Sequence, residues 1–347
     1  MSLHKCKLGE LITQRREKNN DDSLPISGVS KDGLIPPKQQ EADTSLYNMF
    51  YRGDFIFNPA RMELNSIAYN DKYDKAICSS LYEVFYVHRT DLILPEFLAL
   101  IVKQDWFTRY CEFLGQGSAR EYCRFANISE IEIEFPDIDV QKKTVHCYNV
   151  IKRRIELKQQ INDNLDAQAE AIYKDIFVIN PSPDWATGTL KDLLTVKYGK
   201  DHKQLADGNI PLYGSGGIMR YVERALYEKE SVLVPRKGSL NNVLYVNKPF
   251  WSVDTMFYTE MKHDNVAKYV YYYIREKDLA GMDTGSAVPS MSAEIIHSMQ
   301  LFIPDNNTLD RFEHILKPIF LYVETNTCEI EYLKALSQNM LTILSSR

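Results

Sequence analysis

Three clusters of polar, basic and aromatic residues lie where glycines and prolines mark turns. The first is Gln116, Ser118, Arg120, Glu121, Tyr122 and Arg124, and the second is Tyr213, Ser215 and Arg220 within residues 211–220. Arg236, Lys237, Asn241 and Asn242 form the third, and Arg61 adds a further loop position after Asn58-Pro59-Ala60. Arg, Lys, Asn and Gln side chains make paired hydrogen bonds to guanine or adenine edges, while Ser, Tyr and Lys commonly hold phosphates. A solvated turn is the alternative for any one of these residues. As a set the clusters point to recognition.

Other chemistries find little to stand on. No Gly-x-x-x-x-Gly-Lys-Ser/Thr loop is present, so no phosphate cradle of the P-loop kind is expected. Asn58-Pro59-Ala60-Arg61 is superficially similar to the Asn-Pro-Pro-Tyr/Phe element of amino-methyltransferases, but the second proline and the aromatic are missing. The segment reads as a strand-end turn. In Tyr213-Gly214-Ser215-Gly216-Gly217 the serine is followed by two glycines and an amphipathic strand, not by the helix of a nucleophile elbow. No nuclease-like group of carboxylates with a lysine is evident. The six cysteines form no Cys-x-x-Cys pair and no zinc spacing with the seven histidines, as expected of reduced thiols in a cytoplasmic protein. A catalytic site, a bound cofactor and a metal are therefore not expected in this chain. No apolar stretch approaches a membrane span. The formal net charge of −6 argues against a simple, strongly basic nucleic-acid binder, yet a local basic face suffices for phosphate contacts.

The elements that must position these clusters occur twice. Gly117-Ser118-Ala119, followed by Ile131, Ile133, Phe135 and Pro136, recurs as Gly285-Ser286-Ala287 followed by Met299, Leu301, Ile303 and Pro304, at a constant offset of 168 residues. Upstream, Leu8, Leu11 and Ile12 read as a short opening helix and residues 19–37 as turns. Phe55-Ile56-Phe57, Ile67-Ala68-Tyr69 and residues 82–87 read as strands, and residues 94–114 as one helix. Leu190, Leu193 and Leu194, then residues 232–234, 243–246, 250–258 and 266–275, repeat that order with drifting offsets. A shared scaffold with variable loops is implied, and such loops usually carry recognition. Each half ends in a long helical pattern, residues 139–177 and 308–344, with Asp139 and Asn307 as expected N-caps. Neither apolar stripe is a strict heptad, and Pro318 and Asn326 interrupt the second. Two imperfect stripes in one chain are expected to pack antiparallel against each other. The predicted organisation is α+β: a first domain at 1–138, a helix at 139–178, a second domain at 184–307 and a helix at 308–347.

This duplicated order resembles the DNA-specificity subunit of Type I restriction–modification systems, the HsdS family, over essentially the whole chain. The strand-Pro-helix junctions at Phe135-Pro136 and Ile303-Pro304 carry the resemblance, as do residues 210–217 with Tyr221 and the run Val232-Leu233-Val234-Pro235-Arg236-Lys237-Gly238. The Glu-Gln that usually follows the junction proline is only partly kept, as Val140-Gln141 and Leu309-Asp310. The resemblance implies two target-recognition domains with twisted β-sheets, separated by a pair of long antiparallel coiled-coil-like helices. Each domain would read one half of a split, non-palindromic duplex DNA site, and the helices would set the unread gap. Two methyltransferase (HsdM-like) subunits would dock and methylate adenine with S-adenosylmethionine, and a motor-nuclease (HsdR-like) subunit would join for restriction. The chain itself would be non-catalytic, contributing DNA-binding side chains at Arg61, Gln116, Ser118, Arg120, Tyr122, Arg124, Tyr213, Ser215, Arg220, Arg236, Lys237, Asn241 and Asn242. A Type IIB-like specificity subunit is the close variant, and a helix-mediated scaffold without DNA binding or a divergent base-modifying enzyme are the rivals.

Overall fold

Phe55, Ile56 and Phe57 are all fully buried, which a strand achieves only when both faces of its sheet are covered. In the computed structural model, Phe55 and Phe57 pack with Leu8, Phe85, Phe97 and Phe107 on one face, while Ile56 packs with Phe50, Ala68 and Val84 on the other. The second copy repeats the arrangement: Val232 and Val234 face one core, Leu233 the other. The structure describes residues 3–21, 23–37, 43–115, 122–282 and 290–345, with side chains to residue 342. The chain forms two units, Met1–Gln159 with Cys328–Arg347, and Gln160–Thr327.

Each unit is built on a four-stranded antiparallel sheet of the same order. In the first unit the strands run Ile12–Arg15, Glu83–Val87, Phe55–Phe57, Ile67–Tyr69. In the second they run Leu194–Tyr198, Met256–Met261, Ser231–Pro235, Leu244–Val246. A second shared element closes each body: Leu3–Lys7 pairs with Glu132–Pro136, and Ala186–Thr189 pairs with Gln300–Ile303. The apolar alternation ending at each junction proline is this last strand. Its inward residues Ile133 and Phe135, and Ile131 just before it, are almost wholly buried.

Several sequence expectations change. The opening helix is a single 3-10 turn, Leu8–Glu10, between strands, because Leu8 N–H bonds the Ile131 carbonyl and the flanking residues find strand partners. Its counterpart is one helical turn, Leu190–Leu193, running into strand Leu194–Tyr198. Residues 19–37 contain a hairpin, Gly28–Ser30 with Gly33–Ile35, turned by Gly33 at φ +112°. The helix expected at 94–114 is two, Pro95–Val102 and Asp105–Gly115.

The long helices run Ile138–Lys174, continued by a π turn Asp175–Ile179, and Asn306–Ser345, which passes through Pro318 without ending. Their caps lie two residues before the expected Asp139 and Asn307. The Asp305 carboxylate accepts from Thr308 N–H at 2.9 Å, and the Asp137 carbonyl accepts from Val140 and Gln141 N–H. Asp137 and Asp305 keep the 168-residue offset. Within the first unit Glu329 pairs with Arg154 and, at 2.7 Å, with Lys158. Within the second, Asn326 (1 % exposed) donates to Asn162 at 2.9 Å. In the same unit Tyr173 meets the Phe312 ring, so numbers that rise along one helix fall along the other and the pairing is antiparallel. Asn326 does not break the stripe, because its amide is satisfied across the helix pair. Among the described residues no helix is long and apolar enough to cross a membrane.

Candidate nucleic-acid interface

In the first unit the central strand Phe55–Phe57 ends at Asn58, whose side chain accepts from Ala60 N–H at 3.1 Å and starts the 3-10 helix Pro59–Leu64. That capped turn presents Arg61 in an exposed position. The Pro59 carbonyl accepts from Cys123 N–H at 3.0 Å, which draws residues 122–124 alongside. Arg61, Tyr122 and Arg124, distant in sequence, thereby line one cleft of about 1510 Å³. The Arg124 guanidinium stacks over Tyr122 at 5.4 Å and lies 3.7 Å from the Glu83 carboxylate. Glu83 also accepts from Phe125 N–H at 2.7 Å, so it is held at the cleft wall. Gln116, Ser118 and Arg120 lie outside the described residues, as do both Gly-Ser-Ala repeats.

The second unit builds the same junction with different side chains. Strand Ser231–Pro235 ends at Arg236, whose carbonyl accepts from Met291 N–H at 2.9 Å. Met291 is Cys123 shifted by 168 residues, so the same backbone bond ties the returning segment to the same turn in each copy. The Arg236 guanidinium sits 5.5 Å over the Tyr198 ring, and Lys237 beside it is exposed. Gly238 has φ +85°, and a Cβ there would meet Ser215 Oγ at 2.7 Å. The positive φ favours glycine here, and any larger residue would also have to displace the Ser215 hydroxyl. Asn242 donates to the Ser215 carbonyl at 2.8 Å, joining the 215–217 turn to the 236–243 loop. Asn241 donates to Asp278 at 3.2 Å and accepts from Ala280 N–H at 3.0 Å. Ser215, Arg236, Lys237, Asn241 and Asn242 are thus gathered at one loop cluster. Tyr213 is half-buried, edge-on to Phe250. Arg220 donates to Asp207 at 2.8 Å and to the His202 and Leu205 carbonyls at 2.9 and 3.0 Å, so its guanidinium pins the 202–207 loop.

Arginine and lysine tips that make no ion pair among the described residues, at Arg61, Arg236 and Lys237, suit acceptor-rich partners such as base edges and phosphates. Sequence reading missed Lys103, which lines the first cleft, because an unbroken helix was expected there. Ser79, Ser80 and Leu81, at the turn before strand Glu83–Val87, also line it, and nothing in their types signals this. Among the described residues no group of His, Cys, Asp and Glu has the geometry to hold a metal ion.

The domain family described as "Type I restriction modification DNA specificity domain" matches residues 15–167 and again 183–335, two copies separated by the same 168 residues. The HindI specificity subunit of a Type I restriction enzyme from Haemophilus influenzae is 25% identical over 130 residues, 37% of this chain and 28% of that protein. The MjaIX specificity subunit from Methanocaldococcus jannaschii is 20% identical over 294 residues, 72% of this chain and 68% of that protein. The crystal structure of a Type-I restriction-modification system S subunit from M. genitalium superposes with a TM-score of 0.68 at 16% identity, covering 99% of this chain and 96% of that one, a likeness of fold. With a matching copy of the domain in each half, this chain belongs to the Type I restriction–modification DNA-specificity family.

Proposed function

We propose that this chain reads a bipartite, asymmetric duplex DNA site and holds the catalytic subunits that act on it. Residues 1–138 and 184–307 are the two target-recognition domains, and residues 139–178 and 308–347 are the spacer helices that set the gap. The observation that carries this reading is the repeated junction: the turns at 59–61 and 236–238 leave the same sheet position, take the same backbone bond, and present different side chains. Equivalent scaffolds with divergent tips suit two unlike half-sites on one duplex. The chain supplies binding free energy and geometry but no catalysis. Two methyltransferase subunits carrying S-adenosylmethionine dock on it, joined in restriction by a motor-nuclease subunit, in the cytoplasm. Exposed apolar residues on the long helices, Val150 and Leu157 on one and Tyr332 on the other, support docking, because a bound subunit would remove their apolar area from water.

Mapping methylated adenines in DNA from cells carrying this chain with its methyltransferase tests the proposal. Exchanging residues 184–307 for those of another family member is expected to change one half of the methylated sequence and leave the other half and the gap unaltered. A motif changed in both halves, or no methylation dependent on this chain, sinks the reading. Replacing Arg236 or Arg120 by alanine is expected to weaken site binding by roughly 1–3 kcal/mol with relaxed specificity if the residue reads a base. A phosphate contact flattens the salt dependence instead. Titration of a labelled duplex at several salt concentrations separates the two, and unchanged affinity and slope remove the residue from the interface.

A further inference from the structure

The first recognition domain's helix stops at Val102 and restarts at Asp105. The break leaves Lys103 as the C-cap of the first segment and places it among the residues lining the large cleft. Its ammonium donates to the Lys31 carbonyl at 2.7 Å and to the Ile67 carbonyl at 2.8 Å. An ammonium has three N–H donors, so two protein acceptors orient it and leave one donor over. We propose that Lys103 is a contact to a DNA phosphate in the first domain's cleft, held ready by these two carbonyls. This rests on the reading that the cleft holds duplex DNA.

The charge around it explains why one lysine matters. The hairpin presents Lys31 and Asp32, and the 3-10 helix presents Arg61 and Glu63. Asp105 comes from the following helix, Glu83 from the start of strand Glu83–Val87, and Arg124 from the segment held beside the 59–61 turn. Tyr47, Tyr82 and Tyr122 are the remaining titratable groups of the lining. With four basic and four acidic side chains the cleft has no net formal charge, so phosphate attraction depends on individual cations placed at contact distance. Burial disfavours the ammonium and lowers the Lys103 pKa to about 8, against the opposing pull of Asp32. A phosphate at contact favours the charged form and raises that pKa again. The sign follows: below about pH 8 the free residue is already charged and binding is insensitive to pH through this group. Above that value binding must take up a proton, and affinity falls by up to about tenfold per pH unit.

The test uses the full chain with its methyltransferase partner and a short duplex carrying the mapped methylation sequence. Wild-type affinity is expected to stay level up to about pH 8 and to decline above it. Lys103→Arg is expected to bind with a level profile, because a guanidinium keeps its charge. Lys103→Met is expected to bind more weakly than wild type below about pH 8, with a level profile, a salt slope smaller by about one and a deficit that narrows as pH rises. Equal pH profiles in all three proteins overturn the assignment, and so does a loss confined to one base pair with an unchanged salt slope. Should Lys103→Met fail to fold, the contrast between wild type and Lys103→Arg still decides. A wild-type complex that binds no duplex at low salt overturns the DNA reading itself, whereas wild-type binding without the Lys103 signature overturns only this inference.

Discussion

Lys268→Met destabilises the second unit by about 3–5 kcal/mol, the expected cost of stranding a buried charge by deleting its partner. Lys268 is 3 % exposed, and its ammonium lies 2.8 Å from both oxygens of Glu313 and 3.2 Å from Glu230. The rings of Tyr245 and Phe320 lie over it, with centroids 5.0 and 5.4 Å away. Through these contacts the helix Ala267–Arg275 is clamped to the long helix Asn306–Ser345. Methionine fills the same volume but leaves Glu313 without its cation in a site where water is largely excluded. Removing both charges, in Lys268→Met with Glu313→Leu, is expected to recover much of the loss, since an apolar pair replaces a buried ion pair at little net cost. Urea denaturation followed by the emission of Trp185 and Trp251, both in this unit, measures the difference. A single-variant loss below about 1 kcal/mol, the range of exposed ion pairs, contradicts the clamp.

Gln141→Leu destabilises the first unit, by about 1–3 kcal/mol for each buried group it leaves unpaired. Gln141 is fully buried in the first turns of helix Ile138–Lys174. Its amide accepts from Leu94 N–H at 2.9 Å and donates to the carbonyls of Leu92 and Pro136 at 2.8 and 2.7 Å. One side chain thus fastens the junction proline and the entry to helix Pro95–Val102 onto the long helix. The position 168 residues later holds Leu309, buried at 3 % exposure, so the second copy closes the same junction with apolar packing. Leucine at 141 imitates that solution without its surroundings. A melting temperature for the first unit, followed through Trp106, that matches wild type counts against the clamp.

The contrast between Gln141 and Leu309 shows where reading residues alone reaches its end. In the chain of letters, Val140-Gln141 is a half-kept motif, and only the carbonyls of Leu92 and Pro136 reveal what the amide is for. Leu8, Leu11 and Ile12 have helical spacing but form a 3-10 turn and a strand, because strand partners at 83–87 and 132–136 satisfy their backbone. Lys103 was hidden in the same way, its spacing compatible with a helix that tertiary packing divides. Arg220 and Arg236 are alike as residue types. The first is held by three acceptors and the second stacks on Tyr198, a difference set by loops far away in sequence.

The sequence by itself determined the duplication, the central strand Phe55–Phe57 and its edge neighbour Ile67–Tyr69, both long helices and, through the order of these parts, the family. These features are local or periodic: runs of buried apolar residues, a constant offset, a stripe at helical spacing. The tertiary structure alone decided which turn residues share a cleft, which arginine tips remain available, and how a buried asparagine is satisfied. Each of those depends on contacts between residues from more than ten to more than a hundred positions apart, and no local pattern encodes such a partner.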